Sequence, residues 1–398
     1  MENRKYALIF LFLLMAAGSR AQSITSFEQA DSVSNAQYLA GNWAQLIQTG
    51  KYAIAAGYDS PALRQRLGYA QMLSGNYSKA IKEYKTALKN DSYNTTARYY
   101  TYLCHQYLNH DAGASYHAAY LDTSQRKAEG IHAFGLINAG IESSAKFNDN
   151  VYRQTANYSR VYLSNRLGWR LQLTQSVAYF NQYFLNSYLQ QAPGSGLVTV
   201  ANTTNQQIEY YAKLSYSVTD NLQLLGAYHY LNSNYLNAAY NNQIGFGGLR
   251  YNGTHFALQG DVNIGYMIGE HLNQYNATLM LYPMGNLDFY TVSRVSYLQQ
   301  GGMGRGIFSQ SLGYKLAENI WAETSGNFGN LNNYNDTDGL YIYNAIDPSK
   351  LKLGQTFFFQ LGRHAQLQLN YTYEKKDDEI HTLTYNQHSI TAGLSWKF

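Results

Sequence analysis

The chain has 398 residues, and its reactive side chains are few: ten histidines, one cysteine and a sparse set of carboxylates. No pair of histidines falls in a His-Glu-x-x-His pattern or at another close ligand spacing, so the sequence assigns no metal site, no cofactor and no catalytic residue. Asp336, Asp338 and Asp347 share one Asn-rich segment and carry the hard oxygen ligands that Ca²⁺ takes. Their spacing matches no Ca²⁺ loop, so solvation in a surface loop is the expectation for them. The same reading applies to the run Lys375-Lys376-Asp377-Asp378-Glu379, to His381 and to His388. Gly245-Phe246-Gly247-Gly248 and Gly301-Gly302-Met303-Gly304 do not open a helix after a parallel strand, which excludes a phosphate loop. Cys104 stands alone, so there is no internal disulfide framework and no Cys-rich metal cluster, and a buried apolar role is expected.

Beyond these lies a scatter of basic residues: Arg160, Arg166, Arg170, Lys213, Arg250, Arg294, Lys315, Lys352 and Lys397. Dispersed along the chain, they act together only if the fold turns them toward one space. The net charge of +4 is too modest to suggest nucleic acid as a partner. The elements that would position these residues therefore decide the reading.

Residues 1–21 read as an export signal: Arg4 and Lys5, a short apolar core from Tyr6 to Ala17, then Ser19-Arg20-Ala21 at the cleavage site. Residues 22–128 then show a helical period. Leu67-Gly68, Gly75, Tyr77, Ala80, Tyr84 and Ala87 lie at the offsets of a helical hairpin. Gly68 and Ala80 would allow close helix approach, and Tyr84 would fill the space between pairs. Gly41-Asn42-Trp43 precedes Gly75-Asn76-Tyr77 by 34 residues, and Ala114 comes 34 after Ala80. The third copy is degenerate, with Asn109 replacing glycine and Ala118 replacing the aromatic; it reads as a terminal unit that packs against the C-terminal domain.

Residues 129–398 change to a period of two. Leu367, Leu369, Tyr371 and Tyr373 alternate with Gln366, Gln368, Asn370 and Thr372. Ile208, Tyr210, Leu214 and Tyr216 alternate with Glu209, Tyr211, Lys213 and Ser215. Such runs mean that one face meets an apolar medium and the other a polar one. Fourteen can be counted, within a range of twelve to sixteen, and those near Ile131 and Thr155 alternate poorly. Short links fall at 167–168, 219–221, 252–253, 284–286, 317–319 and 362–363. Long ones fall at 147–154, 185–204, 234–242, 299–303, 329–350 and 375–384. The 40 tyrosines, 4 prolines and 14% charged residues agree with an antiparallel membrane barrel rather than a disordered chain.

The last strand ends Thr391-Ala392-Gly393-Leu394-Ser395-Trp396-Lys397-Phe398. Thr391, Gly393, Trp396 and Phe398 resemble the signal by which outer-membrane assembly machinery recognises the final strand of its clients. The helical hairpins resemble tetratricopeptide repeats, and the domain order resembles bacterial outer-membrane β-barrels with periplasmic repeats of that kind. The resemblance implies an outer-membrane location, a periplasmic helical region that docks a protein partner, and a barrel contacting lipid and the assembly machinery. Some members of that broad group export polysaccharide. The fold expected is thus two-domain, α-helical repeats leading into a transmembrane barrel of about 14 strands.

Alternation turns the nine basic residues inward, because a charge facing lipid at the midplane costs about 2–4 kcal/mol. Only Glu209, Asp261 and Glu323 accompany them as inward acids, so an anion-preferring conduit for small solutes or polysaccharide is expected. The other readings are a non-conducting structural or assembly component, and a barrel-wall lipid hydrolase using His229 or His364.

Overall fold

The computed structural model describes residues 24–185, 189–192, 196–199, 202–235 and 238–398. The export segment expected at 1–21 lies outside the described residues. Seven helices are described before the first strand: α1 Phe27–Leu39, α2 Trp43–Ala55, α3 Pro61–Leu73, α4 Tyr77–Asn90, α5 Thr95–Tyr107, α6 Asp111–Ala118 and α7 Thr123–Ala128. Local chemistry starts most of them. The side chains of Ser26, Ser60, Asn76, Asn94 and Asp122 accept a backbone N–H of the first turn, and Pro61 stands at the first position of α3.

The 34-residue spacing reappears as backbone geometry. Gly41, Gly75 and Asn109 all occupy the left-handed region, with φ of 68°, 73° and 53°. Asparagine is among the few non-glycine residues that tolerate this conformation, so the third turn survives the substitution. Leu46, Ala80 and Ala114, again 34 apart, are fully buried. A methyl group on Gly68 would stand 2.8 Å from the ring of Tyr84, which is itself fully buried. Leu67 and Ala87 are buried as well, and Tyr77 stacks on Tyr107 with centroids 4.8 Å apart.

After the helices, fourteen strands form one closed antiparallel barrel. In chain order they are β1 Phe134–Asn148, β2 Arg153–Leu167, β3 Leu171–Phe184, β4 Thr203–Ser217, β5 Leu222–Tyr235, β6 Ala238–Asn252 and β7 Phe256–Met267. They continue as β8 Glu270–Leu281, β9 Phe289–Gln300, β10 Met303–Ala317, β11 Ile320–Phe328, β12 Ser349–Leu361, β13 Ala365–Asp378 and β14 Leu383–Lys397. Each pairs with its neighbour in sequence, and β14 closes on β1 from Asn138↔Lys397 to Asn148↔Gln387. Two short hairpins, Leu189–Ala192 with Gly196–Thr199 and Asn335–Asp336 with Tyr341–Ile342, lie in the links after β3 and β11. The poor alternation near Ile131 and Thr155 has a cause: register shifts fall between Leu136 and Asn138 and between Arg153 and Ala156. A bulge of this kind breaks period two locally.

The barrel is polar inside and apolar outside. Ile141, Val161, Ile208, Ile264, Val295 and Ile390 point outward and are more than half exposed. Asn205, Gln207, Gln259, Asn263 and Gln274 point inward and are buried. Water would not tolerate so continuous an apolar exterior on a monomer. The strands run past their expected ends, so only two links at the far end, after β3 and β11, remain long. The links after β7 and β9 are tight turns, and Gly301 and Gly302 form the second of them with positive φ. The link after β8, 282–288, is longer than expected, because it receives the helices.

The helices rest on the barrel at the end where β1 begins. Ser78 N–H donates to the Gly285 carbonyl and Asn286 Nδ2 donates to the Gly75 carbonyl. Arg126 stacks over Trp169, Gln172 reaches Ser115, and His110 meets Tyr282. The helix α6 is buried along most of its length between the other helices and the barrel rim. With those of Lys85 to Asn221 and of Ser217 to the Ala112 carbonyl, these contacts fall at the turns after β2, β4 and β8. At the same end Glu318, Asn319, Arg363 and His364, in the turns after β10 and β12, remain exposed.

Candidate functional site

The link after β11, residues 329–348, folds back into the barrel instead of out into solvent. Its apolar residues drive the entry: Leu331 and Tyr334 are fully buried against Ile244, Met267, Leu272, Leu298 and Ile307. Several of its backbone carbonyls are then met by side chains of the wall, which offsets part of the cost of burying them. Gln274 Nε2 donates to the Asn335 carbonyl at 2.7 Å, Gln207 Nε2 to the Asn344 carbonyl at 2.8 Å, and Tyr211 Oη to the Asp338 carbonyl at 3.0 Å.

This internal loop changes the electrostatics expected of the lumen. Asp336, Asp338 and Asp347 do not stand in an outer surface loop; each lies inside the barrel and meets a basic residue of the wall. Lys213 Nζ lies 2.7 Å from Asp338, Arg294 Nη1 3.7 Å from Asp336, and Arg153 Nε 2.7 Å from Asp347. Arg294 also reaches Asp261 at 3.4 Å, and Arg160 binds Glu142 and the Tyr341 hydroxyl, both at 2.8 Å. Lys352 donates to the Tyr343 hydroxyl at 2.8 Å. The excess of inward bases over inward acids holds for the strands alone. The loop supplies the missing carboxylates, so that excess no longer favours an anion-preferring pore.

The run at Lys375 is likewise a correction. All of it but Glu379 belongs to β13, where Lys376 and Asp378 are buried. Asp378 accepts from Arg153 Nη2 at 2.9 Å and pairs with His381, whose ring stacks on Tyr152. Arg153, Lys146 and Glu142 are inward charges that alternation does not reveal, because the irregular strands β1 and β2 obscure the parity there.

The other basic residues lie toward the helical end. Arg166 donates to the His132 carbonyl and Arg170 packs over Tyr116. Arg250 points at the Met280 sulfur, and Lys315 pairs with Asp288 at 3.7 Å over the Trp321 ring. Lys397 is held through its backbone by His364. Glu209 is buried beside His229, and Glu323 accepts from the Tyr290 hydroxyl at 2.6 Å. His229 donates through Nδ1 to the Gly339 carbonyl at 2.7 Å, and His364 donates to the Lys397 carbonyl and stacks on Trp396. Both rings therefore serve the backbone of a neighbouring segment. In β14, Thr391 Oγ1 donates to Ser144, Trp396 faces outward opposite Ala139, and Phe398 N–H donates to the Ile137 carbonyl.

The loop does not fill the lumen evenly. On the β6–β10 side it is packed tightly. Between the loop and the wall made by β12, β13, β14, β1, β2, β3 and β4 it leaves a cavity of about 310 Å³. Its bases are Lys146, Lys352 and Lys376; its acids are Glu142, Glu209, Asp336, Asp347 and Glu374. Carboxamides such as Gln182, Gln368, Asn370 and Gln387, with the rings of Tyr158, Tyr341 and Tyr385, complete the lining.

No family model and no curated protein matches the chain. Solved structures resemble it in part. The toluene transporter TodX of Pseudomonas putida aligns at 10% identity and a TM-score of 0.42, covering 65% of this chain and 88% of its own. The toluene transporter TbuX of Ralstonia pickettii aligns at 9% and 0.43, covering 66% and 89%. The outer membrane protein Omp33 of Acinetobacter baumannii aligns at 8% and 0.38, covering 66% and 99%. Similarity at this level carries no information on what passes through or binds to the present barrel.

Proposed function

We propose that this chain is an outer-membrane channel with an off-centre path, constricted by the loop 329–348 and suited to hydrophilic, polyhydroxylated solutes such as short sugar chains. The cavity beside the loop is the observation that carries this reading. A volume of about 310 Å³ lies at the lower end of the roughly 300–1,000 Å³ common for small-molecule sites. Its lining interleaves acids, bases, carboxamides and tyrosines, and three of its five acids are already paired with Arg160, Arg294 and Arg153. It therefore offers hydrogen-bond donors and acceptors of both kinds without a dominant sign of charge. Hydroxyl groups need both, and an array of this type exchanges with their hydration at little cost. The outward apolar face supports a membrane setting, because the strands alternate between lipid and lumen. The cavity adjoins β12–β14 and β1, and the rim turn after β12 is free of helices at the exposed positions Arg363 and His364. A route on that side therefore bypasses the helical region.

A second reading, a non-conducting barrel that anchors the helices, is favoured by the helices packed on the turns after β2, β4 and β8. Single-channel recording in planar bilayers, with liposome swelling in neutral sugars of increasing size, separates the two. The channel reading expects small conductance with weak ion selectivity and entry of mono- and disaccharides. It also expects a severalfold larger conductance after deletion of 332–346. A barrel that stays closed both before and after that deletion supports the anchor instead.

A further inference from the structure

Where α5, α6 and the turn after β4 meet, two histidines and an aspartate come together from positions up to 115 residues apart. His105 and His117 stack with ring centroids 5.5 Å apart, and Asp220 Oδ2 lies 3.1 Å from His117 Nε2. One donor atom from each of the three residues falls within 4.8 Å of the others. All three are buried. Motif spacing cannot reveal this constellation, since its third member belongs to the barrel.

His105 gives the cluster its meaning. Its side chain is 3% exposed, yet neither ring nitrogen has a hydrogen-bond partner. A buried imidazole with both nitrogens unsatisfied is costly, because it loses water and gains nothing in return. Room for the ring is made by Gly113, where a methyl group would stand 2.6 Å from His105 Nδ1. The site thus pairs a deliberate cavity for an imidazole with an unused nitrogen lone pair beside a carboxylate.

We propose that His105, His117 and Asp220 form a transition-metal site, best matched to Zn²⁺, that fastens the helical region to the barrel rim. Two imidazoles and one carboxylate are an established Zn²⁺ donor set, leaving a fourth position for water. The protonation states suit it. Burial holds His105 well below the usual histidine value, and it lowers His117, so both rings are neutral near pH 7. Asp220 is held below the usual carboxylate range by its hydrogen bonds to His117 and Lys85. Lys85 Nζ, 2.7 Å from Asp220 Oδ2, supplies the outer contact that commonly orients a ligating carboxylate. Metal on His117 Nε2 requires the proton on Nδ1, so the 3.3 Å contact from Arg98 Nη1 is released. Arg98 stays anchored through Nε and Nη2 to the Ser92 carbonyl.

The test uses the untagged full-length protein in detergent, stripped with EDTA and titrated with ZnCl₂ by calorimetry, with bound metal counted by mass spectrometry. One equivalent of Zn²⁺ per chain is expected. His105→Ala and Asp220→Asn should each weaken it more than tenfold, and His388→Ala, at the far end, should leave it unchanged. Co²⁺ added to the unaltered protein should give the intense visible bands of a tetrahedral N/O site, a readout that does not depend on any variant folding. Absence of stoichiometric Zn²⁺ binding, binding unaffected by both substitutions, or only weak octahedral Co²⁺ bands would each overturn the proposal. None of these results depends on whether the barrel conducts.

Discussion

Arg153 shows how much a single residue holds. Its guanidinium is fully buried between Asp347 of the internal loop and Asp378 of β13. Removing one member of a buried charge cluster leaves the others desolvated and unpaired, at a cost of about 3–5 kcal/mol. Arg153→Ala should therefore loosen the loop's C-terminal half. Longer and more frequent high-conductance openings in single-channel traces, with faster proteolysis between 332 and 347, are the expected result. Traces and cleavage like those of the unaltered chain would show that the loop is held elsewhere. Gly68 makes a comparable point in the helical region. A methyl group there would overlap the Tyr84 ring at 2.8 Å, so Gly68→Ala should destabilise α3–α4 by about 1–3 kcal/mol. Hydrogen exchange across Pro61–Asn90 should read this directly, with the barrel unchanged.

At the scale of elements, much is legible in the sequence because lipid and lumen impose a simple code. The runs around Ile208 and Leu367 alternate cleanly, and their outward faces are the exposed ones. The link at 299–303, expected to be long, tightens to a two-residue turn because Gly301 and Gly302 can both take positive φ. The strands β1 and β2 are harder to read, since their bulges shift the parity on which inward and outward assignments rest. The internal loop escapes such a reading because its Asn and Asp residues look solvated. A signal is present nonetheless: Leu331, Tyr334, Leu340, Tyr341, Ile342, Tyr343 and Ile346 are more apolar residues than an exposed loop of that length needs. The final strand carries its own prediction. Ala139↔Trp396 and Asn138↔Lys397 are the last pairs of the closing seam. Truncation at Ser395 removes them along with the Phe398 bond to Ile137. Loss of the chain from the outer-membrane fraction is expected. Normal yield and normal heat-sensitive mobility on gels would exclude an assembly role for these residues.

At the scale of the molecule, the helices and the barrel form one packed body through polar contacts. Lys85 donates to Asn221 and pairs with Asp220, while Asn286 reaches across to Gly75. Like charges placed opposite each other at such a contact cost several kcal/mol. Lys85→Asp should therefore release the helices from the rim. Faster hydrogen exchange in α5 and α6, with the barrel's strand content retained, is the expected signature. Unaltered exchange would mean that the apolar contacts of α6 hold the two parts without the ion pair. The loss of Gly at Asn109 and of an aromatic at Ala118 foretells a terminal helical unit packed on the barrel. Which rim turns receive it is not foretold, because those contacts join residues from 43 to 172 positions apart with no motif linking them.

The internal loop touches walls that face each other across the ring. It is tied to β9 through Arg294 and Ser296 and to β2 through Arg160 and Arg153. It is tied as well to β5 through His229 and to β12 through Lys352. In a ring of fourteen, each of these pairs lies seven strands apart. The segment is thus a crossed strut as well as a constriction. It resists flattening of the cylinder under lateral bilayer pressure, and a tube braced along two diameters keeps its bore round where an unbraced one would turn oval.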